Sequence, residues 1–317
     1  MTTTPAPQVL FVGLGKMGAR MAVRLAAAGA SVHGHDPAAS ARESAASLAR
    51  ERDCEARLRL HASLDDALDA LAAPRVVWLM LPAGAVTTDA IERIAPRLAE
   101  GDLLVDGGNA NYLESQARAR ALGAHGPRFA DCGVSGGVWG LENGYCLMFG
   151  ADAQAAALLS PIARQLAPAP DAGWLHCGPV GAGHFTKMIH NGIEYGMMQA
   201  IAEGFALLDG KREFALDLGA IGELWRHGSV VRSWLLDLTA EALRSPDALA
   251  SVAPFVSDSG EGRWTVDEAV RQGTPAPVIA MALMSRFDSQ GKADTGNRLL
   301  ALMRQGFGGH AVRRDAG

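Results

Sequence analysis

The sequence predicts an α/β fold in which a mostly parallel, doubly wound sheet is followed by an all-α C-terminal domain. Strand-like apolar runs alternate with alanine-rich helical segments through the first half of the chain, which is typical of parallel strands joined by helical crossovers. After about residue 183 the pattern becomes helical, and no convincing strand follows. We therefore predict two domains, residues 1–178 and residues 179–317.

The composition is that of a globular protein with a sizeable core. Of its 317 residues, 49% are hydrophobic and 20% are charged, and the net charge is −5. Because nucleic acids require a concentrated basic surface, no nucleic-acid partner is expected. No apolar run is long enough to cross a bilayer, and the N-terminus lacks the layout of a signal peptide, so we expect a cytoplasmic protein without a membrane partner. The four cysteines have no metal-ligand spacing, so reduced thiols and no metal are expected.

The first element pair contains a glycine loop. An apolar strand at residues 9–12 leads into a G-x-G-x-x-G sequence and then a helical run that ends at Gly29. Such glycines let the backbone turn tightly and approach a pyrophosphate, whose charge is attracted by the helix N-terminus. The order of strand, glycines, helix and second strand predicts a Rossmann-type dinucleotide-binding domain. The loop residues expected to bind the cofactor are Gly13, Leu14, Gly15, Lys16, Met17 and Gly18.

An acidic residue ends the second predicted strand. Asp36 lies close to twenty residues beyond the last glycine of the loop, where a carboxylate accepts the ribose hydroxyls of NAD. The same charge repels the 2′-phosphate of NADP, and Pro37 follows where NADP enzymes often have an arginine. NAD is therefore the expected cofactor, with NADP as a possible second one. The structural alternative is that Asp36 caps the next helix, and the two roles are compatible.

Glycine-containing turns end three further predicted strands, at residues 75–82, 102–109 and 128–137. Ligands of doubly wound sheets bind beyond the carboxyl ends of the strands, so three such turns together are more informative than any one of them. We expect the first turn at the cofactor, the second close to it, and the third on the substrate side. The turn residues in question are Leu81, Pro82, Ala83 and Gly84, then Gly107, Gly108 and Asn109, then Ser135, Gly136 and Gly137.

A polar stripe marks the long helix predicted at residues 184–208. Lysine is scarce in this chain, with only four, yet one of them falls in this largely apolar segment. The stripe members have offsets of three, four and seven residues, which places them on one helix face. The alternative is that the charges pair with each other or face solvent, and that the histidine is structural. The stripe consists of Lys187, His190, Asn191 and Glu194.

Further helices are expected around residues 218–243, 265–272, 277–286 and 295–304.

Several motifs together resemble 6-phosphogluconate dehydrogenase of the decarboxylating kind, over nearly the whole chain. HNGIEYG after a lysine is the most specific of them, and the short length is similar to the often NAD-linked short subfamily. The other motifs that carry the resemblance are GLGKMG, LPAG, DGGN, GVSGG, GPVGAGHFTKMIHNGIEYG and the final FGGH.

The resemblance implies an oxidoreductase that converts 6-phosphogluconate to ribulose 5-phosphate and CO2 with hydride transfer to NAD. It implies that Lys187 is the base that takes the hydroxyl proton and later returns one, which requires a lowered pKa, and that Glu194 is the acid that protonates C1 of the product. The residues it assigns to substrate are Asn109, Ser135, Gly136, Gly137, His190, Asn191, Tyr195 and Arg286, with Asn109 also near the cofactor.

The C-terminal segment implies a homo-oligomer, a dimer or a tetramer. Residues 304–310 match the family segment that reaches into a neighbouring subunit's site, where Arg304 binds phosphate and His310 binds a substrate hydroxyl or the phosphate. The structural alternative is a frayed end.

Three positions depart from the long enzymes of the family. Val138 stands where those enzymes have a glutamate, and the loop before the Trp-Thr pair is shorter, with Arg263 as a candidate replacement for its lysine. Pro37 is the third departure and favours NAD.

Two other functions compete with this one. A β-hydroxyacid dehydrogenase of the 3-hydroxyisobutyrate or tartronate semialdehyde type would share the glycine loop, the SGG turn and the lysine, but it does not need the second acid, Glu194. A non-catalytic NAD-binding sensor would keep the glycine loop and lose the polar stripe. The stripe and the FGGH tail favour the decarboxylating enzyme over both.

Overall fold

The computed structural model describes residues 8–123, 125–308 and 311–314. It divides into two compact units, Met1–Met188 and Ile189–Gly317. The division falls inside a helix, ten residues after the predicted boundary at residue 178.

The first unit is built on an eight-stranded sheet, which confirms the predicted fold class. The strand order is β3-β2-β1-β4-β5-β6-β7-β8, and the first six strands of the chain run parallel to one another. β7 is antiparallel to β6, and β8 is parallel to β7. The order 3-2-1-4-5-6 is that of a dinucleotide-binding sheet. The strands are β1 Gln8–Val12, β2 Ser31–His35, β3 Leu58–His61, β4 Val76–Leu79, β5 Leu103–Asp106, β6 Arg128–Ser135, β7 Cys146–Ala151 and β8 Trp174–Gly178.

Helices cover both faces of this sheet. Successive residues of β1 enter different cores: Phe11 packs in one hydrophobic cluster, and Leu10 and Val12 pack in the other. Because both faces are buried, the parallel strands read as continuous apolar runs instead of alternating ones. The helices of this unit are α1 Gly18–Ala27, α2 Ala39–Glu51, α3 Leu64–Asp69, α4 Ala85–Ile94, α5 Tyr112–Leu122, α6 Gly140–Asn143 and α7 Ala153–Leu166.

Three strands are absent from the sequence prediction. β3 contains an arginine and a histidine among only four residues, so its apolar signal is weak. β8 is at the edge of the sheet, and its Leu175 is exposed. β7 follows the SGG motif and α6 in the sequence and pairs with β6 over six residues. These strands depend on pairing partners far away in the sequence, which a local pattern does not reveal.

The second unit is helical, as predicted. The long helix begins two residues earlier and ends two residues later than expected, and it is continuous across the division between the units. The helices are α8 Ala182–Gly210, α9 Leu218–Trp225, α10 Trp234–Leu243, α11 Pro246–Ala250, α12 Glu261–Gln272, α13 Pro277–Ser289 and α14 Asp294–Gly308.

The predicted helical segment 218–243 is two helices. Between them Gly228 has a φ of +74°, which interrupts the helix, and Ser233 caps α10 by accepting a hydrogen bond from the Leu236 N–H at 3.2 Å. Across the described residues, none of the helices combines the length and the apolar character needed to span a membrane.

Candidate active site

The three glycines of the loop after β1 serve different purposes. Gly13 has a φ of +93°, and a Cβ there would lie 2.5 Å from the Met80 carbonyl oxygen. A Cβ on Gly18 would collide with the Gly13 carbonyl oxygen, so this residue allows α1 to pack closely. A Cβ on Gly15 would meet no described atom within 4 Å. The first and third glycines therefore shape the loop, whereas the space beside Gly15 remains free for a ligand to approach the backbone.

Asp36 is tied to this loop. One of its carboxylate oxygens accepts the Leu14 N–H at 2.8 Å, and the other accepts the Ala38 N–H at 2.9 Å. The N-cap residue of α2 is Ala38, so Asp36 does not cap that helix with its side chain in the usual way. A carboxylate has about four acceptor positions, so these two bonds leave capacity for the hydroxyls of a ribose. These residues fit a dinucleotide.

Arg42 is a neighbour of Asp36 that the sequence prediction missed. Its Nη1 donates to the backbone oxygens of Asp36 at 2.6 Å and Pro37 at 3.0 Å. Arg42 lies on α2, six residues after Asp36. The turn of the chain at Pro37 places its guanidinium beside the Asp36 backbone. The ribose end of the loop therefore has a positive as well as a negative charge.

The turns after β4 and β5 lie against each other. A Cβ on Gly108 would lie 2.6 Å from the Leu81 carbonyl oxygen, and one on Gly107 would collide with the indole nitrogen of Trp78. The glycine loop joins the same edge, because Leu81 also contacts the position of a Gly13 Cβ. The side chain of Asn109 is exposed here, as are Pro82 and Ala83. The two predicted cofactor turns and the glycine loop thus form one edge of the sheet.

Arg118 of α5 connects these two turns, and the sequence prediction did not include it. It forms a buried ion pair with Asp106 at the end of β5, 2.9 Å from Nη1 to Oδ2. Its Nη2 donates to the Gly84 carbonyl at 3.1 Å and to Glu114 at 2.8 Å. Removing one partner of a buried pair of this kind typically costs about 3–5 kcal/mol, because the other charge is left unpaired. The pair therefore helps to hold both turns in place.

The SGG turn follows β6 at the same edge. Gly136 and Gly137 have φ values of +127° and +54°, which favour glycine, and Ser135 is paired in register with Cys146 of β7. Gly137 is exposed, while Ser135 and Gly136 are half-buried.

Lys187 lies on α8 and is buried, with 9% of its surface exposed. Its aliphatic stem passes over β6, where a Cβ on Gly133 would overlap Lys187 Cβ and lie 2.8 Å from Lys187 Cγ. Gly133 is two residues before Ser135 on the same strand. The first unit therefore brings Lys187 onto the strand that ends in the SGG turn.

The other members of the polar stripe belong to the second unit. His190 Nδ1 lies 3.1 Å from Asn191 Oδ1 and 3.8 Å from Glu194 Oε2. Asn191 is 9% exposed, whereas His190 and Glu194 are half-buried. His190 thus interacts with its neighbours on the helix, and the catalytic interpretation of the stripe stays a prediction.

Tyr195 and Arg286 form a second cluster in this unit. The guanidinium carbon of Arg286 lies 3.5 Å from the centre of the Tyr195 ring, and the Tyr195 hydroxyl donates to Asp258 at 3.5 Å. Asp258 also accepts a short hydrogen bond from Arg263, whose guanidinium stacks on Phe287. Partial burial opposes ionisation of Asp258, but the hydrogen bonds from Arg263 and the Gly260 N–H outweigh it and lower the pKa of this carboxyl group.

Two ligands were predicted near the C-terminus, Arg304 and His310. Arg304 is exposed on α14. His310 lies outside the described residues. In the part of the chain that the structure describes, no group of three or more metal-ligating side chains is arranged to hold a metal ion.

Two family models match this chain, one for each part. Residues 8–177 match the NAD binding domain of 6-phosphogluconate dehydrogenase, and residues 183–314 match the 6-phosphogluconate dehydrogenase C-terminal domain. The chain belongs to the 6-phosphogluconate dehydrogenase family. A relative from Haloferax volcanii, named 6-phosphogluconate dehydrogenase, NAD(+)-dependent, decarboxylating, is 39% identical over 97% of this chain and 99% of its own length.

Solved structures agree with this family assignment. A Plasmodium falciparum 6-phosphogluconate dehydrogenase, solved in its apo form and in complexes with NADP+ and with 6-phosphogluconate, matches with a TM-score of 0.83 and 26% identity. That match covers 98% of this chain and 66% of the Plasmodium chain, so this protein is the shorter one. A 3-hydroxyisobutyrate dehydrogenase from Mycobacterium tuberculosis matches with a TM-score of 0.64 and 23% identity, over 91% of this chain and 94% of that chain, and shares the fold.

The glycine loop of this family member leads to a first prediction. Gly15→Ala should fold normally, because its Cβ meets no neighbour, but it should weaken NADH binding by about tenfold or more because the methyl group fills the space that the pyrophosphate needs. Binding is measured by NADH fluorescence and folding by the thermal unfolding midpoint. Gly204→Ala on α8, which also has open space, is the matched control and should bind NADH like the wild type. Unchanged NADH affinity in Gly15→Ala would contradict the assignment of this loop.

Proposed function

We propose that this protein catalyses the oxidative decarboxylation of 6-phosphogluconate to ribulose 5-phosphate and CO2, with NAD as the preferred hydride acceptor. The single observation that carries the proposal is that one continuous helix, α8, bears a buried lysine and, two turns later, an accessible carboxylate. Oxidation of an alcohol alone needs one proton-transfer group, whereas oxidation followed by decarboxylation needs a second one at a different carbon. The family assignment over nearly the whole chain supports the same reaction.

The cofactor assignment rests on Asp36 and the glycine loop. NAD, when bound, accepts the hydride from C3 of the substrate. The expected binding residues are the loop residues 13–18, Asp36 for the ribose hydroxyls, and Leu81, Pro82, Ala83, Gly84 and Asn109 along the edge. Asp36 opposes a 2′-phosphate by its charge, while Arg42 beside it offers an attractive one, so we propose NAD as the faster and NADP as the slower cofactor.

Lys187 is proposed as the group that moves the hydroxyl proton. It is buried, and a lysine suits this task because, unlike arginine, its side chain can exist in proteins as a neutral amine. As the C3 hydroxyl is oxidised, the neutral amine takes its proton. When the C1–C2 bond of the resulting β-keto acid breaks and CO2 leaves, the ammonium returns a proton to the carbonyl oxygen and an enediol remains.

Glu194 is proposed as the acid that protonates C1 of the five-carbon product and converts the enediol to the ketose. Its half-buried position leaves the carboxyl group accessible, and His190 Nδ1 lies 3.8 Å from Glu194 Oε2. The proposed substrate ligands are the side chains and turns already described, with Tyr195 and Arg286 at the phosphate: Asn109, Ser135, Gly136, Gly137, His190, Asn191, Tyr195 and Arg286.

A homo-oligomer is proposed as the working form, with Arg304 and His310 completing a neighbour's site. The second unit exposes many large apolar side chains, including Leu207 at 77% and Val270 at 78% on helices and Val230 at 100% between α9 and α10. Exposed apolar surface on this scale is typical of an interface. A cytoplasmic location and a domain boundary near residue 178 stay predictions, the latter supported by the limits of the two family models.

The proposed reaction is tested by turnover of 6-phosphogluconate with NAD and with NADP in parallel, with released CO2 collected. We expect NADH and CO2 in equal amounts, and a kcat/KM for NAD about tenfold or more above that for NADP, because Asp36 repels the 2′-phosphate. D-3-hydroxyisobutyrate serves as the control substrate and should give no CO2. Oxidation without CO2 would instead identify a non-decarboxylating dehydrogenase.

The two proposed proton-transfer groups should fail in different ways. Lys187→Met should lose kcat by about 10³-fold, because no group removes the hydroxyl proton. Glu194→Gln should slow steady-state turnover by about 10²-fold but keep a first-turnover burst of NADH, since oxidation precedes its step. Rapid mixing with absorbance at the NADH band separates the two. Glu203→Gln, an exposed acid on the same helix, is the control. Loss of the burst in Glu194→Gln would contradict its late role.

Shared sites are tested by mixing two inactive variants. If Arg304 acts in the neighbour's site, a dimer of one Lys187→Met chain and one Arg304→Met chain has one intact site. Random pairing makes about half of the dimers mixed, so about a quarter of wild-type activity should return. If Arg304 acts in its own chain's site, both sites of the mixed dimer are defective and activity stays low. Activity after denaturation and joint refolding distinguishes the outcomes, and each variant refolded alone is the control.

A further inference from the structure

A fully buried carboxylate lies at the start of α8, and the proposed reaction does not use it. Asp131 is in the middle of β6 and has no exposed surface. Burial raises the pKa of this carboxyl group, and the nearby His184 together with backbone N–H donors acts against that rise. An isolated buried carboxylate is costly, so its retention here calls for a specific partner.

Its partners are backbone groups at the beginning of α8. One oxygen of Asp131 accepts the Gly181 N–H at 2.6 Å, and the other accepts the His184 N–H at 2.7 Å. The first N–H groups of a helix have no partner within the helix, and a negative charge there is favoured by the helix dipole. Helices are usually capped by a residue next to them in sequence. This cap instead comes from a strand fifty residues earlier, so it fixes the helix to the sheet.

Two glycines bring the same helix directly onto the strands. A Cβ on Gly183 would lie 2.6 Å from the carbonyl oxygens of both Asp131 and Met148. A Cβ on Gly133 would overlap the stem of Lys187. Residues 131 and 133 of a strand face the same side, so the cap and the lysine contact are adjacent on β6. His184 adds a further tie, because its Nδ1 lies 2.7 Å from Ser115 Oγ of α5.

We propose that Asp131 is a positioning residue for the reaction: by capping α8 from β6, together with the gap at Gly133, it sets where the Lys187 side chain lies relative to the sheet edge. This inference rests on the proposed role of Lys187 as base. Lys187 follows the capped residue His184 by three positions, less than one helical turn, so a shift of the first turn moves the lysine directly. Misplacement of a catalytic group by about 1 Å can cost about 10²-fold in rate.

The experiment compares two aspartates that each cap a helix with two N–H groups. Asp131→Asn keeps the size of the side chain but turns one acceptor into a donor, so one N–H of α8 loses its partner. Asp152→Asn makes the same substitution at α7, where Oδ1 accepts from the N–H groups of Gln154 and Ala155 at 2.9 and 2.8 Å and Oδ2 pairs with Arg128 at 2.9 Å. This control removes the ion pair with Arg128 and so destabilises the first unit at a helix that does not carry Lys187. Both variants should lower the thermal unfolding midpoint. Only Asp131→Asn should reduce kcat by about tenfold or more while NADH affinity stays within about twofold.

A kinetic isotope effect adds a readout that a purely structural role would not move. With substrate deuterated at C3, Asp131→Asn should show a larger primary effect on kcat than the wild type, because slower hydride transfer limits turnover more. The inference is overturned if Asp131→Asn keeps kcat within about twofold of wild type, or if it loses NADH affinity and kcat to the same degree. If Asp131→Asn does not fold, Gly133→Ala replaces it, since one methyl group against the Lys187 stem should produce the same selective loss of kcat; unchanged kcat there also overturns the inference.

A chemical readout separates this inference from the proposed function. The proposed function fails if the wild type does not turn over 6-phosphogluconate. The positioning inference is then still tested by the rate at which trinitrobenzenesulfonate labels Lys187, followed by peptide mass spectrometry. Labelling should be slow in the wild type and in Asp152→Asn, where the lysine is buried, and several-fold faster in Asp131→Asn. Equal labelling rates in the three proteins would overturn the positioning role.

Discussion

The close approach of backbone to backbone along the carboxyl edge of the parallel sheet is the constraint on which the rest of this structure depends. Parallel order places the ends of β1, β4, β5 and β6 at one edge, and each end continues into a turn that contains glycine. At several of these glycines any side chain would collide with a neighbouring turn or strand. The edge therefore consists mainly of backbone, whose N–H and carbonyl groups have fixed positions. Few side chains are present there.

Charged groups have two distinct functions in this unit. Arg118 and Asp106 form a buried ion pair that stabilises the structure. An arginine stays charged, and its planar guanidinium donates to several oxygens at once. Lys187, the proposed base, is also buried, but its side chain is an amine and not a guanidinium. This contrast agrees with the proposed role of Lys187, because a base must exchange a proton and an arginine side chain stays charged.

The sequence alone indicated those features whose pattern lies within a few neighbouring residues. The glycine loop, the acid at the end of β2 and the polar stripe of α8 are patterns of a few residues whose spacing already contains the geometry. Arg118 and Asp131 were missed because their contacts join segments that are apart in the sequence, and Arg42 because its contact with Asp36 depends on the turn at Pro37. Nothing in the residues around Asp131 indicates that its partners are fifty positions away. The strands β7 and β8 were missed for the same reason, since each is stabilised by a neighbour in the sheet more than by its own composition.

In the proposed reaction, the continuity of α8 lets a single helix carry both proton-transfer groups, Lys187 and Glu194. A helix fixes both the spacing and the relative direction of its side chains, so a base and an acid seven residues apart keep a two-turn relationship without any further device. A loop carrying the same residues would have to fix each one separately. The position of Lys187 then depends on the position of the first turn of α8, because a shift of that turn also shifts the lysine. In the proposed arrangement, the buried carboxylate of Asp131 binds the first turn of α8 from β6, which gives a physical reason for a costly buried charge in this strand.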